Sequence, residues 1–279
     1  MKNINTVIGL GNAACQVTKL FEPNYNIYLL DSDTHQHKNH IHIPQQPSHE
    51  SYENSNITLP DNIKKEKDFF FIIGGSGDIS GLSLKVLSQL NSKTAHVVYL
   101  VPSLTSLTEE ESLKHRVVFG VLQEYVRSGL LSNFIIFGED ELEGVISGLT
   151  LLNRYDKYNE QIYNVLNGIV YLSNQKPLMG NIPRFTDYFR ICSLGLVDSL
   201  SGEEAFLWNL DGESEVYYFY IVPEREIEEN FGLIKEVKEF FVKKKKKGKK
   251  MSYGVYSTSF ENRYCYALCK VSEPEYEKK

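Results

Sequence analysis

Two glycine turns carry the first chemistry legible in this sequence. In "VIGLGNAA", Gly9-x-Gly11-x-x-Ala14 follows an apolar run and opens a helical pattern. In "FFFIIGGSGDISG", Gly74-Gly75-Ser76-Gly77 does the same after a second apolar run. Such a turn lets backbone N–H groups at a helix N-terminus close on a phosphate with no side chain in the way. Asp78 is the odd residue of the second turn, a negative charge where a phosphate would sit. Asp31 ends the next apolar run about 20 residues after Gly11, the spacing at which an acid reads a ribose in a dinucleotide site. By themselves, the first turn and Asp31 fit a Rossmann-type NAD(P)-dependent enzyme, or a tight turn that binds nothing. The second turn tips the reading towards a triphosphate wrapped by several loops. No G-K-[ST] follows either turn, which excludes a Walker site with its lysine.

A third group is "THQHKNHIHIP", with His35, His37, His40 and His42. The H-x-H and H-x-x-H spacings can place imidazoles around a metal. Only Asp31 and Asp33 accompany them, and the surrounding residues are polar, so a polar surface loop is expected and no metal ligand is assigned. The tyrosine-rich segments near the C-terminus alternate in places with apolar residues and are expected to form half-buried sheet or a subunit interface.

The elements that position these residues follow from periodicity. Strand, glycine turn and helix are predicted over 5–21, a strand over 25–33, and a loop or partly ordered excursion over 34–67, with prolines at 44, 47 and 60. Strands are predicted at 95–102 and 133–142, with a helix over 108–129 opened by a capping pair, Thr108 and Glu111. A long helical segment runs from Glu143 to Leu172, with a break near Gly148. Short buried strands alternating with helices predict a doubly wound, mainly parallel α/β sheet. After about 180 the texture changes to strands with one helix at 223–242, a smaller α+β domain. The expected organisation is an α/β domain over 1–152, a central helix over 153–175 and the α+β domain over 176–279.

Composition narrows the partners. The 279-residue chain carries a formal net charge of −6, which argues against a general nucleic-acid binder, so no direct nucleic-acid contact is expected. No apolar run reaches the ~20 residues of a transmembrane segment, and the start has no signal-peptide pattern. Cys15, Cys192, Cys265 and Cys269 lack metal-finger or paired spacing, and read as reduced thiols of a cytoplasmic protein. The lysine run at 243–250 is expected to be a solvated loop.

At this point the sequence resembles a family, the filament-forming tubulin and FtsZ proteins. Their signature loop, G-G-G-T-G-[ST]-G, is similar to Gly75-Ser76-Gly77-Asp78-Ile79-Ser80-Gly81. The run from "VVYLVPS" to "FIIFGEDEL" resembles the family's strand, acid-rich loop, arginine-bearing helix and strand, with Arg116 at the nucleotide-contacting arginine. "YDKYNEQIYNVLNGIVYLS" is similar to the helix that reads guanine: Asn159 matches the base-reading position, Tyr155 an aromatic lying on the base, and Gly168-Ile169 the downstream Gly-Ile. An amide presents both a donor and an acceptor, as guanine requires.

The resemblance implies a GTP/GDP site with Mg²⁺, built from Gly9, Gly11, Asn12, Gln16, Gly75, Ser76, Gly77, Ser80, Gly81, Arg116, Tyr155 and Asn159. It also implies head-to-tail self-association into filaments, with an adaptor protein as a further partner. Hydrolysis in the family uses an N-x-D-x-x-D loop that enters the next subunit. In "GNIPRFTDYFRI" Asp187 matches the second acid, but Arg184 replaces the first and the Asn is shifted to Asn181 or lost. A guanidinium cannot deprotonate water, so weak or impaired hydrolysis is expected, with Asp187 as the catalytic residue. The same departures leave room for a non-catalytic scaffold that has lost its nucleotide. The compact, lysine-rich chain suits a phage- or plasmid-type relative.

Overall fold

The computed structural model describes residues 4–183, 190–208, 213–245 and 249–271. The chain divides into two compact units, Asn3–Asn164 and Val165–Lys279.

The first unit is built on a parallel sheet. Its strands are β1 (Thr6–Leu10), β2 (Asn26–Asp31), β3 (His40–His42), β4 (Phe69–Gly74), β5 (Ala95–Val101) and β6 (Asn133–Gly138). Their spatial order is β3-β2-β1-β4-β5-β6. The sequence of β4, Phe69 to Ile73, is fully buried, as a strand covered on both faces must be. Helices α1 (Asn12–Lys19), α4 (Ser83–Gln89) and α5 (Glu109–Arg127) are the main connections between these strands. The predicted capping box holds: Thr108 Oγ1 accepts from the Glu111 N–H at 3.2 Å, and Glu111 Oε2 accepts from the Thr108 N–H at 2.9 Å.

Three local expectations are corrected. The segment 34–67 contains β3, α2 (His49–Asn54) and α3 (Asp61–Lys64). Strand β3 pairs with β2 in parallel, Leu30 opposite Ile41. Tyr52 and Ile63 are buried, and Ser48 caps α2, so a few apolar anchors order a polar stretch. Strand β6 ends at Gly138 and residues expected to finish it form α6 (Glu139–Val145), which the expected break near Gly148 separates from α7 (Arg154–Ser173). The break carries Gly148 at φ +71, and Asn153 and Thr150 cap one another, the Thr150 N–H donating to Asn153 Oδ1 at 2.7 Å. The helix expected at 223–242 is split into α8 (Glu224–Glu229) and α9 (Leu233–Lys244) by an Asn230–Gly232 turn, the Gly232 N–H donating to Asn230 Oδ1 at 2.9 Å.

The second unit carries β7 (Met179–Asn181), β8 (Ile191–Val197), β9 (Glu204–Phe206), β10 (Glu213–Pro223), β11 (Lys250–Thr258) and β12 (Tyr264–Val271). Its order is β8-β12-β10-β11-β7, with β9 on β8. Among the described residues of this unit, β10 and β11 pair in parallel and the other ladders are antiparallel. Alternate residues of β10, Val216, Tyr218, Tyr220 and Val222, pack with Leu233, Val237, Phe240 and Phe241 of α9. Tyr217, Tyr218, Tyr220 and Tyr256 are buried, and Tyr253, Tyr264 and Tyr266 are partly so. Lys244, the second lysine of the basic run, is anchored on Glu204 Oε1 at 2.7 Å rather than solvated. All four cysteines are buried thiols. Among the described residues, no helix is long and apolar enough to cross a membrane.

Candidate functional site

The strand order reverses direction between β1 and β4, which are neighbours although two strands separate them in sequence. Leu10 lies opposite Ile73, so the two glycine turns leave the sheet side by side. In open parallel sheets this is where a crevice forms beyond the strand ends. Here it is a cavity of ≈ 390 Å³ whose wall includes Gly11 to Ala14 of the first turn and Gly74 and Ser76 to Ile79 of the second. Asp31, Ser32 and Asp33 after β2, and Gln45, Gln46 and Tyr52, complete it.

The first turn is held by backbone geometry. Gly11 has φ +85, a conformation that favours glycine, and its N–H donates to the Leu30 carbonyl at 2.8 Å. It caps α1, whose first N–H groups lack partners within the helix. Gly9 serves packing instead: a Cβ there would lie 2.5 Å from Thr18 Oγ1. Asn12 opens α1 on the cavity wall, while Gln16 lies one turn on, its Nε2 donating to Asn12 Oδ1 at 3.1 Å.

The second turn divides in the same way. Ser76 and Gly77 face the cavity, and nothing lies within 4 Å of a Cβ at Gly77. Gly75 is buried, and a Cβ on it would fall 1.7 Å from the Tyr99 hydroxyl, which bonds His115 Nδ1 at 2.9 Å. Ser80 is buried, with its hydroxyl turned to the carbonyls of Gly77 and Gly75, at 2.7 and 3.1 Å. Gly81 is buried against the His49 carbonyl. Ser80 and Gly81 therefore shape the loop from behind rather than line the cavity.

Asp78 has a partner that pattern matching passes over. Lys114 Nζ lies 2.6 Å from Asp78 Oδ1 and 2.6 Å from Glu110 Oε1, one turn back on α5. These ion-pair contacts, that to Asp78 first, raise the Lys114 pKa, so the ammonium stays charged and offsets the acid in the cavity wall. The signal was available, because an acid inside a glycine turn at a cavity calls for a cation and Glu110 and Lys114 are spaced i,i+4. Burial lowers the pKa of His49, beside this pair.

Asp31 is committed elsewhere. Its Oδ2 lies 2.8 Å from His35 Nε2, and its Oδ1 accepts from the Ser32 N–H at 2.8 Å. Both oxygens that would read a ribose are engaged, which weakens the dinucleotide reading. The histidine stretch is likewise not simply a surface loop, since His35 is 9% exposed.

The remaining predicted residues stand apart from the cavity wall. Arg116 is exposed on α5, Tyr155 is 55% exposed and Asn159 is half-buried on α7. The first half of α7 does pack against the turn that follows α1: Tyr163 meets Phe21 edge-on at 4.9 Å between ring centroids and accepts from Asn24 Nδ2 at 3.3 Å. Arg184 and Asp187 lie outside the described residues. Gln45, Gln46 and Tyr52 were missed because they sit in the stretch that reads as loop.

No protein-family model matches the sequence, and no curated protein matches it. Solved structures do. CetZ from Methanosaeta thermophila strain DSM 6194 superposes at TM-score 0.69 and 12% identity, covering 98% of this chain and 88% of that one. The GTPγS-form protofilament of Bacillus thuringiensis serovar israelensis TubZ gives 0.67 and 14%, over 96% and 86%. The FtsZ dimer of M. jannaschii gives 0.65 and 14%, over 96% and 88%. The chain thus has the tubulin/FtsZ fold, at identities that mark it as divergent.

Proposed function

We propose that this chain is a cytoplasmic, tubulin/FtsZ-like cytoskeletal protein that binds GTP or GDP and assembles head to tail. The observation that carries the reading is the cavity at the β1–β4 switch, where two glycine turns and the N-terminus of α1 meet. The donors suit phosphate: unpaired helix N–H groups, the Ser76 hydroxyl and an open approach at Gly77. Lys114 offsets Asp78 there, so the acid does not bar a phosphate. Mg²⁺ would be held by Asp33, which among the described residues has no ion pair, together with phosphate oxygens. The base would reach the exposed face of α7, where Tyr155 lies against it and Asn159 reads its edge. The TubZ relative of this fold is described as a GTPγS-form protofilament, which supports both the ligand and the assembly. Weak hydrolysis follows from Arg184 at an acid position, with Asp187 as the remaining carboxylate.

A second reading is a tubulin-fold scaffold without nucleotide. It is favoured by Arg116, Tyr155 and Asn159 standing off the cavity wall. Titration with labelled GTP, ATP and NAD, followed by sedimentation with and without GTP, separates the two. Guanine-selective binding with pelleting is expected. Absence of any nucleotide binding overturns the proposal and leaves the scaffold.

A further inference from the structure

Behind the first glycine turn, and independent of any nucleotide, three side chains of different chemistry converge. Cys15 on the inner face of α1, Asp31 at the end of β2 and His35 four residues later present Sγ, a carboxylate oxygen and a ring nitrogen all within 4.8 Å of one another. They are 0%, 2% and 9% exposed. We propose that this trio is a binding site for a transition-metal ion of the zinc type.

The donor set selects the ion. Thiolate, imidazole and carboxylate together are the ligands of Zn²⁺ and its neighbours, whereas Mg²⁺ and Ca²⁺ take oxygen alone. Zinc bonds of about 2.0–2.3 Å at tetrahedral angles place two ligands about 3.3–3.8 Å apart, so the trio, now within 4.8 Å, closes by about 1 Å on binding. At present His35 Nε2 and Asp31 Oδ2 are hydrogen-bonded at 2.8 Å. On a tetrahedral ion the two would stand roughly 3.3 Å apart, so metal entry replaces this bond with two coordinate bonds. The imidazole proton then sits on Nδ1, freeing the Nε2 lone pair. The Cys15 thiol, now near the Gly9 and Leu30 carbonyls at 3.5 and 3.7 Å, releases its proton to solvent as the metal–sulfur bond forms.

A further histidine stands at the border of the site. His40 packs edge-on against His35, with ring centroids 5.2 Å apart. Its Nε2 is shut off from solvent and, among the described residues, has no hydrogen-bond partner. A buried ring nitrogen without a partner is costly, but the His40 nitrogens fall outside the 4.8 Å group, so His40 borders the site beside His35 and is not one of its ligands. Asp31 also forms part of the cavity wall, which gives an ion a route in. The ion would tie α1, β2 and the loop after β2 together beneath the turn.

The test is anaerobic titration of the reduced full chain with Co²⁺, then displacement by Zn²⁺. One Co²⁺ per chain and a thiolate-to-cobalt charge-transfer band are expected, and Zn²⁺ should abolish the band stoichiometrically. Cys15→Ser should remove the band, and His35→Ala should weaken Co²⁺ binding more than about 100-fold. X-ray absorption on the zinc-loaded wild type needs no variant, so it decides the matter even if a buried substitution prevents folding. It should show one sulfur beside nitrogen and oxygen ligands. A shell of nitrogen and oxygen alone, a band that survives Cys15→Ser, or no stoichiometric binding overturns the proposal.

Discussion

Gly75 sits in the phosphate-type turn, but the structure assigns it to packing. A Cβ there would lie 1.7 Å from Tyr99 Oη, 2.8 Å from its Cζ and 3.3 Å from the His115 Cα. Restoring ordinary contact requires the tyrosine to move by about 1.7 Å, the difference between 3.4 and 1.7 Å. Tyr99 has no room to yield: it is 0% exposed and packs against Phe119 and Phe134, with ring centroids 5.1 and 5.4 Å away. Overpacking of this kind costs about 1–3 kcal/mol, and loss of the hydroxyl's bond to His115 about 1 more. Gly75→Ala should therefore destabilise the fold by about 2–4 kcal/mol, read as a lower urea midpoint with the slope unchanged. Gly77→Ala should stay within about 0.5 kcal/mol of wild type, because no atom lies near its Cβ. Gly75→Ala with Tyr99→Phe should recover part of the loss. If Gly75→Ala costs less than about 0.5 kcal/mol, the close approach behind the turn is refuted.

Lys114→Met should weaken GTP binding roughly tenfold by uncovering the Asp78 charge, with a stability change below about 1 kcal/mol because the pair is partly exposed. Adding Asp78→Asn should restore the affinity, and fluorescence titration of the variants checks both. Asn159→Ala should reduce the preference for GTP over ATP in competition; unchanged selectivity counts against the base-reading role of α7. Burial, then Arg116, lowers the His115 pKa from 6.5 to about 4. The unfolded chain therefore binds the proton first, and stability present above pH 6.5 is lost as pH falls towards 4, by on the order of 3 kcal/mol. His115→Gln should flatten that part of the stability–pH curve in denaturant melts.

Much of the first unit was legible because β1, β4, β5 and β6 are continuous apolar runs, and a parallel sheet buried on both faces demands them. The capping box at Thr108 and the glycine turns are local codes and were read directly. What was not legible depended on tertiary partners. The short helices at 49–54 and 61–64 have too few residues for a period and exist because Tyr52 and Ile63 find the core. Which glycines face the cavity and which face a tyrosine is a matter of what packs behind the loop. The Asp78–Lys114 pair and the Cys15–Asp31–His35 trio join residues that are distant or unpatterned in sequence, and only the sheet order brings them together.

Hydrogen exchange of the full chain with and without GTP, resolved to short peptides, tests the central claim most directly. The account predicts GTP-dependent protection of amides in 11–14 and 74–79, the two turns of the cavity. It also predicts little change in the β10–β12 sheet of the second unit. Binding of GTP without protection at both turns, or no effect of GTP anywhere, would contradict it.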